Sequence, residues 1–137
     1  MADIEQQSVP IAGERDIVTV RKAVRDMATS MGFGITDVTR IVTAASELAR
    51  NIVTYAGSGS LRLSNVSGGG RHGVEMVFED EGPGIADLPR AFEVGYTTSG
   101  GLGLGLPGAR RLVDEMEIQS ESGHGTRVIL KKWMRGR

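Results

Sequence analysis

Glu47 and Asn51 stand four residues apart in the segment SELARNIV. On a helix this spacing puts a carboxylate and a carboxamide one turn apart on the same face. At about 100° per residue, that face lies roughly opposite the Ala45, Leu48 and Ile52 stripe. Such a carboxylate can accept a proton or orient a nucleophile. The carboxamide oxygen is a hard, neutral ligand suited to Mg²⁺. A lone E-x-x-x-N is ordinarily just a solvated helix face. The pair acquires meaning only beside a nucleotide site.

Two further segments could supply that site. Asp80-Glu81-Gly82-Pro83-Gly84 follows the apolar run VEMVFE directly. An aspartate at a strand end places an acceptor where the chain leaves the sheet, and the glycines let the backbone approach a flat ligand. A buried carboxylate there can take an exocyclic amine proton of adenine, a charged bond of about 1.5–3 kcal/mol. The same residues also make a good turn. Farther on, Thr97 to Gly108 alternates glycine with leucine and runs into a helix start. Bare backbone N–H groups and a helix N-terminus form an anion cradle. The leucines would be wasted in a solvated linker, which favours phosphate binding. No lysine follows these glycines, as a Walker loop requires. G-x-G-x-x-G occurs at Gly103 to Gly108, but late in the chain, after a Thr/Ser/Gly loop and with no acidic residue about 20 positions beyond. The V-A-I-K, H-R-D and D-F-G signatures of eukaryotic-type kinases are absent as well.

The elements that must position these groups follow from periodicity. Ile4 to Ile11 reads as an edge strand. Ile17, Val20, Val24, Met27 and Met31 give a helix from Glu14 to Met31, closed by Gly32. Thr36 is a plausible N-cap for a second helix, which carries the stripe Val38, Ile41, Val42, Ala45, Leu48, Ala49 and Ile52 and stops at Gly57 and Gly59. Leu61–Val66 and Val74–Phe78 alternate as strands around SGGGR, a hairpin signal. A third helix is expected over Leu106–Met116, then strands at Met116–Ser120 and Thr126–Leu130. This order predicts an α+β two-layer sandwich, a mixed sheet covered on one face by helices.

The 137 residues suit one domain, 1–137. Net charge is −1, so non-specific phosphate-backbone binding is unfavoured and no nucleic-acid partner is expected. There is no cysteine, which excludes disulfides and thiolate chemistry. Apolar runs are far shorter than a membrane span, and MADIEQQSVP lacks the pattern of a secretory signal. A cytoplasmic protein without a membrane partner is the expectation. Glycine, at twenty residues, is about twice its average share and is not periodic, so it must serve local backbone needs.

Taken in order, E-L-A-R-N, D-E-G-P-G-I, T-T-S-G-G-L-G-L-G-L and a late H-G-T resemble the ATP-binding boxes of the GHKL superfamily of gyrase, Hsp90, MutL and histidine kinases. Within it, ASELARNIVTYAG and the block from Glu79 to Ile118 are similar to the RsbT-type serine/threonine kinases of bacterial stressosome partner-switching modules. The resemblance spans about Glu14 to Trp133. It implies the Bergerat ATP-binding fold, with ATP and Mg²⁺ as cofactors. Glu47 would be the general base for a Ser or Thr hydroxyl and Asn51 the Mg²⁺ ligand. Asp80 would read the adenine amine, between walls formed by Gly82 and Gly84. Gly101, Gly103 and Gly105 would close over the phosphates, and Thr126 would support the Asp80 end through a water. The short interval from Gly84 to Gly101 leaves no room for a gyrase-like lid. Arg50, Arg90, Arg110 and Arg111 are all candidates for the γ-phosphate cation, and His72 and His124 read as solvent-exposed.

The partners implied are STAS-domain antagonist or scaffold proteins (RsbS- or RsbR-like) as substrates. Once released, the kinase would act on an RsbU-like, PP2C-type phosphatase regulator. A competing reading is a nucleotide-gated, anti-sigma-factor-like binding module without physiological kinase activity. The intact Glu47 argues against it. A histidine-kinase catalytic domain would need its histidine-bearing helices on a separate chain.

Overall fold

The computed structural model describes residues 6–82, 106–120 and 125–134. Strand β1 (Gln6–Ile11) leads into helix α1 (Glu14–Met31) and helix α2 (Ile35–Asn51). A π-helical turn (Ile52–Ala56) extends α2, and β2 (Gly59–Gly68) and β3 (Arg71–Asp80) follow as a hairpin. Helix α3 (Leu106–Leu112), β4 (Glu115–Ser120) and β5 (Thr126–Trp133) complete the described elements.

The two helices start and stop for local reasons. Asp16 Oδ2 accepts the N–H groups of Ala12 at 2.7 Å and Gly13 at 3.1 Å, satisfying donors that a helix N-terminus leaves open. At the other end of α1, the N–H of Phe33 reaches the Ala28 carbonyl at 3.1 Å and that of Gly32 reaches Thr29 at 3.1 Å. Only Gly32, Phe33 and Gly34 join the helices, and Phe33 is buried in the core. That short connection moves the start of α2 forward. Its N-cap is Gly34, and Thr36, the residue expected there, already lies inside the helix.

The sheet order is β1-β2-β3-β5-β4. A mixed sheet was expected, but all four pairings among the described residues are antiparallel. The reason is topological. Two helices between β1 and β2 return the chain to the end it left, so β2 runs back along β1. β4 does run parallel to β3, but β5 lies between them and pairs antiparallel with both.

Val9, Ile11, Leu61, Leu63, Val74, Met76, Phe78, Val128 and Leu130 project from the sheet into one buried core. α1 and α2 cover it with Ile17, Val20, Val24, Val38, Ile41, Ala45 and Leu48. This is the anticipated α+β two-layer arrangement. The other sheet face carries charge pairs: Glu79 lies 3.8 Å from Arg62 and 3.7 Å from Arg127, and Lys131 lies 3.7 Å from Glu75.

α3 is shorter than the expected Leu106–Met116. The N–H of Asp114 bonds to the Lys131 carbonyl at 2.9 Å, and its Oδ2 accepts the Trp133 N–H at 2.7 Å. β5 thereby draws the chain out of the helix, and Met116 pairs with Leu130 in β4. The buried Lys132 ammonium ties this corner to α2 through Asp114 at 3.6 Å and Asp37 at 3.7 Å.

The β2–β3 hairpin turns on Gly69 and Gly70, with φ of 59° and 78°. Both signs match the primed two-residue turn whose twist suits paired strands. Gly70→Ala forces a Cβ into the left-handed region and should cost about 1–2 kcal/mol. Urea denaturation should show the midpoint falling without a change in slope.

Candidate functional site

α2 presents its apolar stripe to the core and carries Glu47 and Asn51 on its flank, both half-buried. Among the described residues, no hydrogen bond or ion pair engages the Glu47 carboxylate. Asn51 ends the α-helix proper, and its polar groups are partnered. After it the helix widens by one residue. The N–H of Gly57 reaches the Ile52 carbonyl at 2.8 Å, a five-residue step. π-turns of this kind are uncommon and concentrate at functional sites.

Asp80 is the last residue of β3, opposite Gly59 of β2 and Thr126 of β5. Its Oδ1 accepts the Gly82 N–H at 2.8 Å. Burial holds its carboxyl above the ordinary value of 3.8, and the Gly82 and Thr126 backbone N–H groups offset part of that rise. The help from Thr126 therefore comes through its backbone. Its hydroxyl lies 3.0 Å from Ser120 Oγ, which also donates to the Gly125 carbonyl at 3.1 Å. Ser120 is a supporting residue that the sequence reading did not single out, because a serine at a strand end carries no motif.

Glycine packing closes the backbone around Asp80. Gly125 has φ of 86°, and a Cβ there would overlap the Asp80 carbonyl oxygen. A Cβ on Gly82 would come within 2.7 Å of Ala56 Cβ and 3.2 Å of Asp80 Oδ1. Beside Asp80 opens a cavity of about 1000 Å³, lined by Gly59, Ser60, Glu79, Asp80, Ser120 and Thr126 among others.

The structure thus gathers Asp80, Gly82 and Thr126 at one end. Glu47 and Asn51 are not among the residues lining that cavity. Their link to it runs through the π-turn, whose Ala56 packs on Gly82. Gly84, Gly101, Gly103 and Gly105 lie outside the described residues, as do Arg90 and His124. Arg50 points toward Glu14 of α1 at 3.9 Å, Arg110 is partnered, and His72 is exposed.

This arrangement has known counterparts. Residues 36–135 match the family described as histidine kinase-, DNA gyrase B-, and HSP90-like ATPase. Over 131 residues the chain is 47% identical to the serine/threonine-protein kinase RsbT of Bacillus subtilis (strain 168), covering 96% of this chain and 98% of that one. The chain belongs to the RsbT-type serine/threonine kinases of that ATPase family. More distantly, it is 27% identical over 120 residues to an anti-sigma F factor of Thermoanaerobacter sp. (strain X514), covering 83% of this chain and 82% of that one. The RsbT-type fold also superposes on the crystal structure of the RsbU and RsbW domains of Rv1364c from Mycobacterium tuberculosis, with a TM-score of 0.64 and 22% identity. The match covers 98% of this chain and about a third, 34%, of that longer one, and it shows the shared fold alone. As a kinase of this type the protein is an ATP-using enzyme of a partner-switching class. Among its described residues, no helix is long and apolar enough to cross a membrane.

Proposed function

We propose that the 137 residues act as one kinase domain that phosphorylates a Ser or Thr on STAS-domain antagonist or scaffold proteins of a bacterial stressosome. The observation that carries this reading is the 47% identity to RsbT over nearly the whole chain; Glu47 and Asn51 stand on the helix whose π-turn packs on Gly82. In this scheme Asp80 grips the adenine amine, Gly82 and Gly84 form the wall, and Gly101, Gly103 and Gly105 cover the phosphates. Thr126 steadies Asp80. Glu47 takes the proton of the attacking hydroxyl as its oxygen bonds to the γ-phosphorus and ADP departs. Positioning and charge neutralisation supply the catalysis.

Mg²⁺ fits this donor set. Among the described residues, no three His, Cys, Asp or Glu side chains converge. The carboxamide of Asn51, together with phosphate oxygens and water, is the kind of sparse protein contribution Mg²⁺ uses. When bound, the ion would neutralise charge developing on the phosphates.

Phosphorylation places a charge of about −1.5 to −2 at the partner interface and weakens the complex. The kinase, released in the cytoplasm, then engages an RsbU-like regulator of the PP2C phosphatase class. The 27% identity to an anti-sigma F factor supports the alternative of a nucleotide-gated binder, but the higher identity to RsbT and the intact Glu47 favour transfer. The test is a mass-shift assay with ATP and RsbS- or RsbR-like STAS proteins. Phosphate on the partner and loss of the complex are expected. A stable complex with no phosphate would favour the binder, and neither complex nor phosphate would overturn the assignment of partner.

A further inference from the structure

The π-turn touches both sides of the Asp80 loop. On one side Ala56 meets Gly82. On the other, Ile52 Cγ2 would lie 3.0 Å from a Cβ on Gly59, which stands opposite Asp80 in the β2–β3 register. The same Cβ would be 3.1 Å from Asp80 Cβ and would overlap the Glu79 carbonyl oxygen. Gly59 is therefore where β2, β3 and the extension of α2 approach too closely for any side chain. Its backbone φ is not in the left-handed region, so close approach, and not backbone conformation, is what requires glycine there.

We infer that Gly59, packed against Ile52 of the π-turn, is a positioning residue that sets where Asp80 meets the nucleotide base. The inference rests on the reading of Asp80 as the adenine contact and adds to it the element that fixes its place. The π-turn starts at the residue after Asn51, so one five-residue segment, continuous with the metal-side helix, packs on the glycines either side of the base-side carboxylate. A Cβ at residue 59 pushes β3 away from this segment and moves Asp80 relative to the base. The three nearest atoms to such a Cβ belong to Glu79, Ile52 and Asp80, none of them assigned to the phosphates.

The test compares two nucleotides, ATP and the purine riboside triphosphate that lacks the 6-amino group. Dissociation constants are measured for the unmodified chain and for Gly59→Ala, Asp80→Asn and Gly68→Ala. Gly68 lies at the far end of β2, with open space where a Cβ would go. Gly59→Ala should weaken ATP about tenfold or more, as expected for a misplaced charged hydrogen bond. Binding of the amine-free analogue should barely change, so the preference for ATP collapses as it does in Asp80→Asn. Gly68→Ala should leave both constants unchanged. Equal weakening of both nucleotides by Gly59→Ala, no weakening of either, or a matching effect of Gly68→Ala would overturn the inference while Asp80→Asn still discriminates. An Asp80→Asn variant that keeps the preference would remove the adenine reading, and this inference with it. If circular dichroism shows Gly59→Ala unfolded, Ile52→Leu carries the same test, because it takes the Cγ2 methyl out of the contact at constant volume.

Discussion

Replacing Glu47 by alanine should lower phosphoryl transfer by about 10²- to 10⁴-fold, the usual worth of a positioned general base. ATP affinity should stay within a fewfold of the unmodified enzyme. The separation follows from placement: Glu47 is on the flank of α2, whereas Asp80 ends β3 in the sheet. Its half-buried carboxylate packs little side chain into the core, so the variant should also fold normally. Single-turnover kinetics with a STAS substrate, alongside calorimetric titration of ATP, would measure both quantities. Retained transfer would reassign the base. A joint loss of transfer and binding would mean that Glu47 holds the nucleotide.

Asp80→Asn should have the opposite profile. On the proposed adenine contact, loss of the charged acceptor should weaken ATP binding about 10- to 100-fold, with turnover at saturating ATP much less affected. The raised carboxyl value adds a pH signature. ATP affinity should fall on acidification through a point above 3.8, earlier than for an ordinary aspartate.

Stability should move the other way. Between the ordinary value and the raised one, the folded chain holds a proton that the unfolded chain has lost. Stability therefore falls as pH rises through that window and is level above it. At neutral pH the ionised Asp80 burdens the nucleotide-free fold. Removing its charge should raise the thermal midpoint of the empty protein even as it weakens binding. Thermal melts across pH, with and without ATP, would show both effects. A lower midpoint for the empty variant would mean that the bonds from Gly82 and Thr126 outweigh burial.

Much of this was legible because it is local. The stripe from Ile17 to Met27 and the stop at Gly32 define α1, and the glycines of SGGGR define the hairpin. Asp80 at a strand end was readable from the apolar run before it. What escaped depends on contacts distant in sequence. Helical spacing passes smoothly through Ile52, so nothing in the pattern marks the extra residue of the π-turn. Gly59 read as a stop signal for a helix, whereas the structure uses it for an approach among three elements. The antiparallel sheet was hidden because the place of β5 between β3 and β4 depends on which strands meet, and periodicity does not report that. Met116 fitted both a helical stripe and a strand, and only the pull of Lys131 and Trp133 on Asp114 decides between them.

The place of β5 has a consequence for biosynthesis. Its first residue faces Asp80, and Gly125 just before it lies against the Asp80 backbone. As the chain leaves the ribosome, β3 therefore waits until β5 is translated and slots in beside it. Such long-range closure is entropically late. Nascent chains then hold α2 and β3 well before β5 closes on Asp80, so a prematurely terminated product would lack the strand that completes the Asp80 end.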